Sequence, residues 1–240
     1  MIDTHTHILY DVDDGSRSLE ESIAMIAEAQ NMGITDIVLT PHYICNSVFQ
    51  NTKKQNEFRF KVLKEETIKR GYKINLMLGN EIFIDDSIDQ LLNDGLIATL
   101  NDSKYILIEF PIMFLPHNAR QILFDLRLKG YIPIIAHPER YHFYEEIELV
   151  KEMKTQGILF QSNLGTLLGN YGKSANKRLK KMLKANLIDI MASDIHHSET
   201  MYQELPKALK KLKSIVGQDK LEKMIQTRPK MIIENLTIND

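Results

Sequence analysis

The sequence predicts an α/β protein: a parallel sheet of seven βα units closed as a distorted TIM-like barrel. Short apolar runs rich in Ile, Leu and Val recur along the 240 residues, separated by stretches of helical length and amphipathic pattern. That alternation is the pattern of strands buried on both faces by crossover helices. Seven such runs suit a closed barrel better than an open sheet. Nearly every run also ends on a histidine or carboxylate, and barrels build their sites where the carboxyl ends of strands converge.

The predicted strands are "MIDTHTH" (1–7), "DIVLTPH" (36–42), "INLMLGNEI" (74–82), "YILIEF" (105–110), "YIPIIAHP" (131–138), "GILFQSN" (157–163) and "LIDIMASDIH" (187–196). The first helix, 18–33, opens on Ser18 with Glu21 three residues later, a capping-box pattern, and stops at Gly33. Further helices are predicted over 54–71, 117–129, 144–156, 174–186 and 203–216. The last residues, "RPKMIIENLTIND", read as a packed terminal segment with a loose end.

A hydrophobic content of 43% supports one sizeable core, and residues 1–240 show no linker or repeat, so a single domain is predicted. A net charge of −2 gives no overall field for nucleic acid, and no nucleic-acid partner is expected. The longest apolar runs fall far short of the roughly 20 residues that span a bilayer, so no membrane insertion is expected. The first residues lack a basic and apolar leader pattern, and a cytoplasmic location is expected. Cys45 is the only cysteine, which rules out a disulfide framework. Five residues separate it from Asn51, where a cysteine-dependent phosphatase would need arginine.

The strand ends carry the chemistry. His5 and His7 alternate onto one side of strand one, as do Asp194 and His196 on strand seven. His42, Glu81, Glu109 and His137 end strands two to five. Gathered in one mouth, these groups would be costly to bury without cations. They exceed what one ion takes, so two or three divalent metals are predicted. Tyr43 and Phe49, on the loop after strand two, are candidates to border an aromatic substrate, and Lys53 and Lys54 to attract an acidic peptide. Asp3 is expected to hydrogen-bond a ligand imidazole or its own turn. His117, His142 and His197 lack strand-end support and are read as structural or exposed. The basic runs "KRLKK" (177–181) and "KALKKLK" (207–213) read as solvated helix faces.

These stretches resemble the PHP (polymerase and histidinol phosphatase) superfamily, and most closely its bacterial manganese-dependent protein-tyrosine phosphatases of capsule and exopolysaccharide clusters. The matching stretches are "MIDTHTHILYDVDDGS", "TPHY", "GNEIF", "IEFP", "AHPERY", "QSNLGTLLG" and "MASDIHH", in family order from residue 1 to about 197. The resemblance implies a PHP-type barrel binding Mn2+, with Fe, Zn, Co or Mg as chemical alternatives. His5, His7, Glu81 and Asp194 would hold one ion. Glu81 would bridge to a second, completed by Glu109 and His137, and Asp14, His42 and His196 would hold a third. Asp13, beside Asp14, is an alternative ligand. Arg140 matches the arginine that grips phosphate. Relatives often carry Arg-Pro after the last histidine, whereas this chain reads "HHSETMYQELPKA". The implied substrate is a phosphotyrosine protein, the tail of a membrane-associated bacterial tyrosine kinase. The competing readings are a small-metabolite phosphatase of histidinol-phosphate type and a non-catalytic metal-stabilised docking module.

Overall fold

In the computed structural model, which describes residues 1–144, 147–198 and 201–238, nine strands alternate with helices. The strands are β1 (Ile2–Thr6), β2 (Asp36–Leu39), β3 (His42–Tyr43), β4 (Asn75–Leu78), β5 (Glu81–Phe83), β6 (Tyr105–Glu109), β7 (Ile132–Ala136), β8 (Leu159–Asn163) and β9 (Ile190–Ala192). They form two sheets, ordered β1-β2-β4 and β3-β5-β6-β7-β8-β9. Every pairing within them is parallel. The α/β class and parallel pairing agree with the sequence expectation.

The predicted second and third strands are each cut in two, at Thr40–Pro41 and Gly79–Asn80. Pro41 has no N–H for a ladder bond, and Thr40 turns aside to Thr6. Its N–H donates to Thr6 O at 2.8 Å, and its Oγ1 accepts from Thr6 N at 3.0 Å. Asn80 stitches the two steps together. Its side chain donates to Pro41 O at 2.9 Å and accepts from Ala98 N at 2.8 Å. Beyond the steps the pairing resumes with His42 opposite Glu81 and Phe83 opposite Glu109. The interruption therefore sets three ligand-type residues side by side.

The first strand also meets the last. Thr6 and Ile195 form a parallel bridge, His7 N donates to Ile195 O at 2.9 Å, and Asp194 N donates to His5 O at 3.0 Å.

The helices are α1 (Leu19–Asn31), α2 (Lys53–Lys69), α3 (Ile88–Asn93), α4 (Ala119–Leu128), α5 (Glu148–Thr155), α6 (Gly172–Lys184), α7 (Met201–Val216), α8 (Gln218–Glu222) and α9 (Arg228–Ile233). Residues 145–146 of the helix predicted over 144–156 lie outside the described residues. At α1 only half the predicted capping box forms: Ser18 Oγ accepts from Glu21 N, but Glu21 carboxylate turns to Arg17 N. The full box occurs at α2, between Thr52 and Gln55.

Side-chain alternation divides the core in two. Ile37, Leu76, Ile106, Ile108, Ile135 and Phe160 pack with the helices. Val38, Met77, Leu107, Ile134 and Ile190 form a second cluster, joined by Ile232 of α9. The terminal segment is fastened beneath β6, with Lys104 N donating to Asn235 Oδ1 and Tyr105 OH donating to Leu236 O.

Candidate metal centre

Alternation on β1 puts His5 and His7 on one side of the strand, and the β1–β9 contact brings Asp194 to them. His137 and Asp194 leave their strands with left-handed backbone, φ 33° and 54°. Such conformations cost about 1–3 kcal/mol each and cluster at functional sites.

Four donor atoms meet in a buried knot. His5 Nε2 lies 3.1 Å from Glu81 Oε2, 3.3 Å from Asp194 Oδ1 and 3.3 Å from His7 Nε2. His7 Nε2 is itself 3.3 Å from both carboxylates. Each ring's outer nitrogen has its own acceptor. His5 Nδ1 donates to Gln161 Oε1 at 2.7 Å, and His7 Nδ1 donates to Asp13 Oδ2 at 2.7 Å. These partners place the ring protons outside and turn both Nε2 lone pairs inward.

Beyond the knot, His42 Nδ1 lies 3.1 Å from Glu81 Oε2 and 3.7 Å from Glu109 Oε2. His137 Nε2 lies 2.8 Å from Glu81 Oε1 and 3.7 Å from Glu109 Oε1. On the open side, Asp14 Oδ1 is 3.6 Å from His42 Nε2 and 3.5 Å from His196 Nε2. His196 Nδ1 donates to Asp194 O at 3.0 Å, so its other lone pair also faces Asp14. Three groups have the geometry to hold a cation: His5, His7, Glu81 and Asp194; His42, Glu81 and Glu109; and His7, Asp14, His42 and His196.

The donor set fits divalent metal on its own chemistry. Glu81 Oε2 and His42 Nδ1 are buried without a hydrogen-bond partner, a costly arrangement in a native fold. Charge tells the same story. Burial lowers the proton affinity of His5, yet Glu81 and Asp194 outweigh it and raise its pKa to about 9. Burial and the neighbouring Glu81 push Glu109 up to about 8.

The sequence model of the family described as capsular polysaccharide synthesis, CpsB/CapC, matches residues 1–234. This chain belongs to the CpsB/CapC family. It is 36% identical to the tyrosine-protein phosphatase YwqE of Bacillus subtilis over 239 residues, covering 99% of this chain and 93% of that protein. It is 30% identical to the tyrosine-protein phosphatase CpsB of Streptococcus agalactiae over 241 residues, 98% of this chain and 99% of the relative. Among solved structures it matches one from a study of YwqE from Bacillus subtilis and CpsB from Streptococcus pneumoniae, described as unique metal-dependent tyrosine phosphatases. The TM-score is 0.93 at 36% identity, over 100% of this chain and 96% of that one.

In this CpsB/CapC chain the donors open into a cleft of about 430 Å³ lined by Asp14, His42, Ile44, Phe49, Glu81, Phe83, Glu109, Arg140, Tyr171, Asp194 and His196. Arg140 lies 3.8 Å from Asp194 Oδ2, its guanidinium over the Tyr171 ring at 5.0 Å. It is the one arginine of this lining among the described residues. Phe49 forms part of the wall, but Tyr43 does not: it is 2% exposed and packs in the core. Alternation past His42 points Tyr43 away from the mouth.

Asp3 also differs from expectation. It accepts from Ser193 N and Tyr202 OH, both at 3.0 Å, and so fixes the backbone just before Asp194. Asp13 sits behind His7 and also accepts from His42 N at 2.9 Å, leaving Asp14 to face the open group. Cys45 lies against Ser87 Oγ at 3.4 Å and does not line the cleft. His197 pairs with Glu21, outside the cluster.

Three contributors are neutral side chains, two of them at the end of β8. Gln161 Nε2 donates to Asn163 Oδ1, and Asn163 Nδ2 donates to Asp194 Oδ2 at 2.5 Å, joining His5 to Asp194 through two amides. Tyr171 OH donates to the same carboxylate oxygen at 3.2 Å.

Asp13→Ala removes the acceptor that orients His7, and metal affinity is expected to fall about 10–100-fold. Calorimetric titration of chelator-stripped protein measures this; unchanged affinity would mean His7 needs no such support.

Metal uptake is also expected to strengthen from pH 6.5 to 9, because a cation must displace protons that His5 and Glu109 hold to about 9 and about 8. Stability of the metal-free protein should move the other way. The raised His5 pKa stabilises the fold below 6.5, and that contribution is lost as pH rises through about 9. Melting curves with and without metal across this window test both signs.

Proposed function

We propose that this chain is a metal-dependent protein-tyrosine phosphatase, a single catalytic domain over residues 1–240 acting on a regulator of capsular or exopolysaccharide synthesis. The observation that carries this reading is the buried His5–His7–Glu81–Asp194 knot, opening through His42 and Glu109 into a cleft with one guanidinium and an apolar wall. The CpsB/CapC relatives support it.

In this reading His5, His7, Glu81 and Asp194 hold the first ion, and Glu81, Glu109 and His137, with His42 beside them, hold the second. Asp14, His42 and His196 hold a third at the mouth. Divalent ions held there would lower the pKa of a water from 15.7 to about 7 and would act as a Lewis acid for the phosphoryl group. Arg140, steadied over Tyr171, binds the non-bridging phosphate oxygens as negative charge spreads over them. Ile44, Phe49 and Phe83 exclude water around the tyrosine ring. The leaving phenolate has a pKa near 10, so departure needs no side-chain acid. Cys45 takes no part.

Manganese suits the mixed nitrogen and oxygen donors. The proposed substrate is the tyrosine-bearing tail of a membrane-associated bacterial kinase, met in the cytoplasm; no helix among the described residues is long and apolar enough to cross a membrane. We also read the two sheets as one closed, distorted (βα)7 barrel of PHP type, supported by the Thr6–Ile195 bridge.

The test is elemental analysis of protein purified without chelator, then phosphate release from a phosphotyrosyl peptide with added manganese. Release that chelator stops and Cys45→Ser retains is the expected result. Preference for histidinol phosphate would replace this reading with a metabolite phosphatase. Retained metal with no activity on any ester would leave a docking module.

A further inference from the structure

The α6 helix concentrates positive charge that the site chemistry does not use. Its 13 residues, "GKSANKRLKKMLK", contain six Lys or Arg and no acid, in a chain whose net charge is −2. Arg178 turns inward, with Ala175, Leu179, Met182 and Leu183 on the buried side. The five lysines, Lys173, Lys177, Lys180, Lys181 and Lys184, are all exposed and line a shallow groove of about 470 Å³ with Asn176. No carboxylate is in that lining.

The helix begins at the cleft. Tyr171, which lines the cleft beneath Arg140, stands immediately before α6 at its N-cap position. Arg178 Nε donates to Glu139 O at 2.8 Å, bolting the helix to the turn that carries Arg140. Since α6 follows β8, it runs from the ligand-bearing end of the sheet towards the opposite end, roughly 20 Å at 1.5 Å per residue.

We propose that the outer face of α6 is a docking track for an acidic segment flanking the phosphotyrosine. The proposal rests on the phosphatase reading of the cleft and names its substrate class: a peptide with carboxylates within about six residues of the target tyrosine, the extended length that matches the helix. Charge complementarity, on a helix that starts at the cleft, favours an acidic peptide. Such a track raises encounter rate and lowers KM without touching the reacting atoms.

Kinetics of the full-length, manganese-loaded protein test this with two phosphotyrosyl peptides, one flanked by four Glu and the other by four Gln, and with p-nitrophenyl phosphate. At low salt the Glu peptide is expected to show a KM about tenfold below the Gln peptide, a sum of several surface charge contacts. The triple variant Lys177→Gln/Lys180→Gln/Lys184→Gln should erase that difference and its salt dependence, leaving kcat and p-nitrophenyl phosphate turnover unchanged. The corresponding arginine triple should keep the preference.

An unchanged KM for the Glu peptide in the glutamine triple would overturn the track. So would sedimentation with phosphatidylglycerol vesicles that only the wild type shows, if peptide KM did not move; the face would then be a membrane contact. Fluorescence anisotropy of an unphosphorylated, fluorescein-labelled Glu peptide reads the track without turnover. If the protein hydrolyses no ester yet binds this peptide through the three lysines, the phosphatase reading fails and the track stands.

Discussion

Glu81→Gln is expected to lower phosphate release by on the order of 10³-fold and to remove more than one equivalent of bound metal. No other described residue touches as many of the candidate ligands. Its Oε2 lies 3.1 Å from His5 Nε2, 3.3 Å from His7 Nε2 and 3.1 Å from His42 Nδ1, while Oε1 is 2.8 Å from His137 Nε2. The amide has the same shape but no charge, and its NH2 end would present hydrogens to nitrogen lone pairs. Metal stoichiometry by mass spectrometry, set beside turnover, gives the answer. A variant that kept all its metal and lost less than about tenfold would show that Glu81 only packs beside the site. Asp194→Ala should lose activity too, but it breaks only the innermost group.

The second large effect comes from a residue with no functional atom. A Cβ placed on Gly15 would stand 2.1 Å from His7 O and 2.5 Å from His7 Cβ. Both lie just after β1; His7 O is backbone and His7 Cβ is fixed directly to it, so neither can swing aside as the far end of a side chain can. Gly15→Ala is therefore expected to cost about 3 kcal/mol, at the upper end of overpacking, and to displace His7 from the knot. Melting temperature should fall by about 2–4 °C per kcal/mol for a chain of this size, with weakened metal binding alongside. Gly33→Ala is the control: its φ of +78° also disfavours a side chain, but it has open space around it. It should lose stability without losing metal. If the two variants behave alike, the contact with His7 is not what matters.

Much of the architecture was legible in the sequence because two simple periodicities govern it. Apolar runs of strand length separated by amphipathic stretches predict parallel pairing, and the convergence of strand ends turns scattered histidines into one cluster. The two-piece second and third strands were harder to foresee. Pro41 is a visible break, but the matching step at Gly79–Asn80 depends on a side-chain bond to Pro41 O that only the folded register creates. Tyr43 and Phe49 looked alike as loop aromatics. The short β3 gives Tyr43 a strand's alternation and sends it inward, while Phe49 stays at the cleft.

Asp13 and Asp14 could not be separated by position alone; the turn aims one at His7 Nδ1 and the other at His42 and His196. Gln161 and Asn163 stand in a strand-end stretch that was noticed, but as neutral groups neither they nor Tyr171 read as partners of a ligand. Asp3 was noticed for its place beside His5, but its actual partners, Ser193 and Tyr202, lie about two hundred residues away in the chain.

That last separation has a bearing on biosynthesis. Three of the four innermost donors, His5, His7 and Asp194, come from the first strand with the residue just after it and from the segment after β9, joined by backbone bonds between His5 and Asp194 and between His7 and Ile195. While the ribosome is still making the middle of the polypeptide, His5 and His7 have no carboxylate from residue 194 to meet. Full-affinity loading is thus a late event, following closure of a loop that spans most of the molecule. A fragment released before that point would carry both histidines yet lack the innermost seat for an ion.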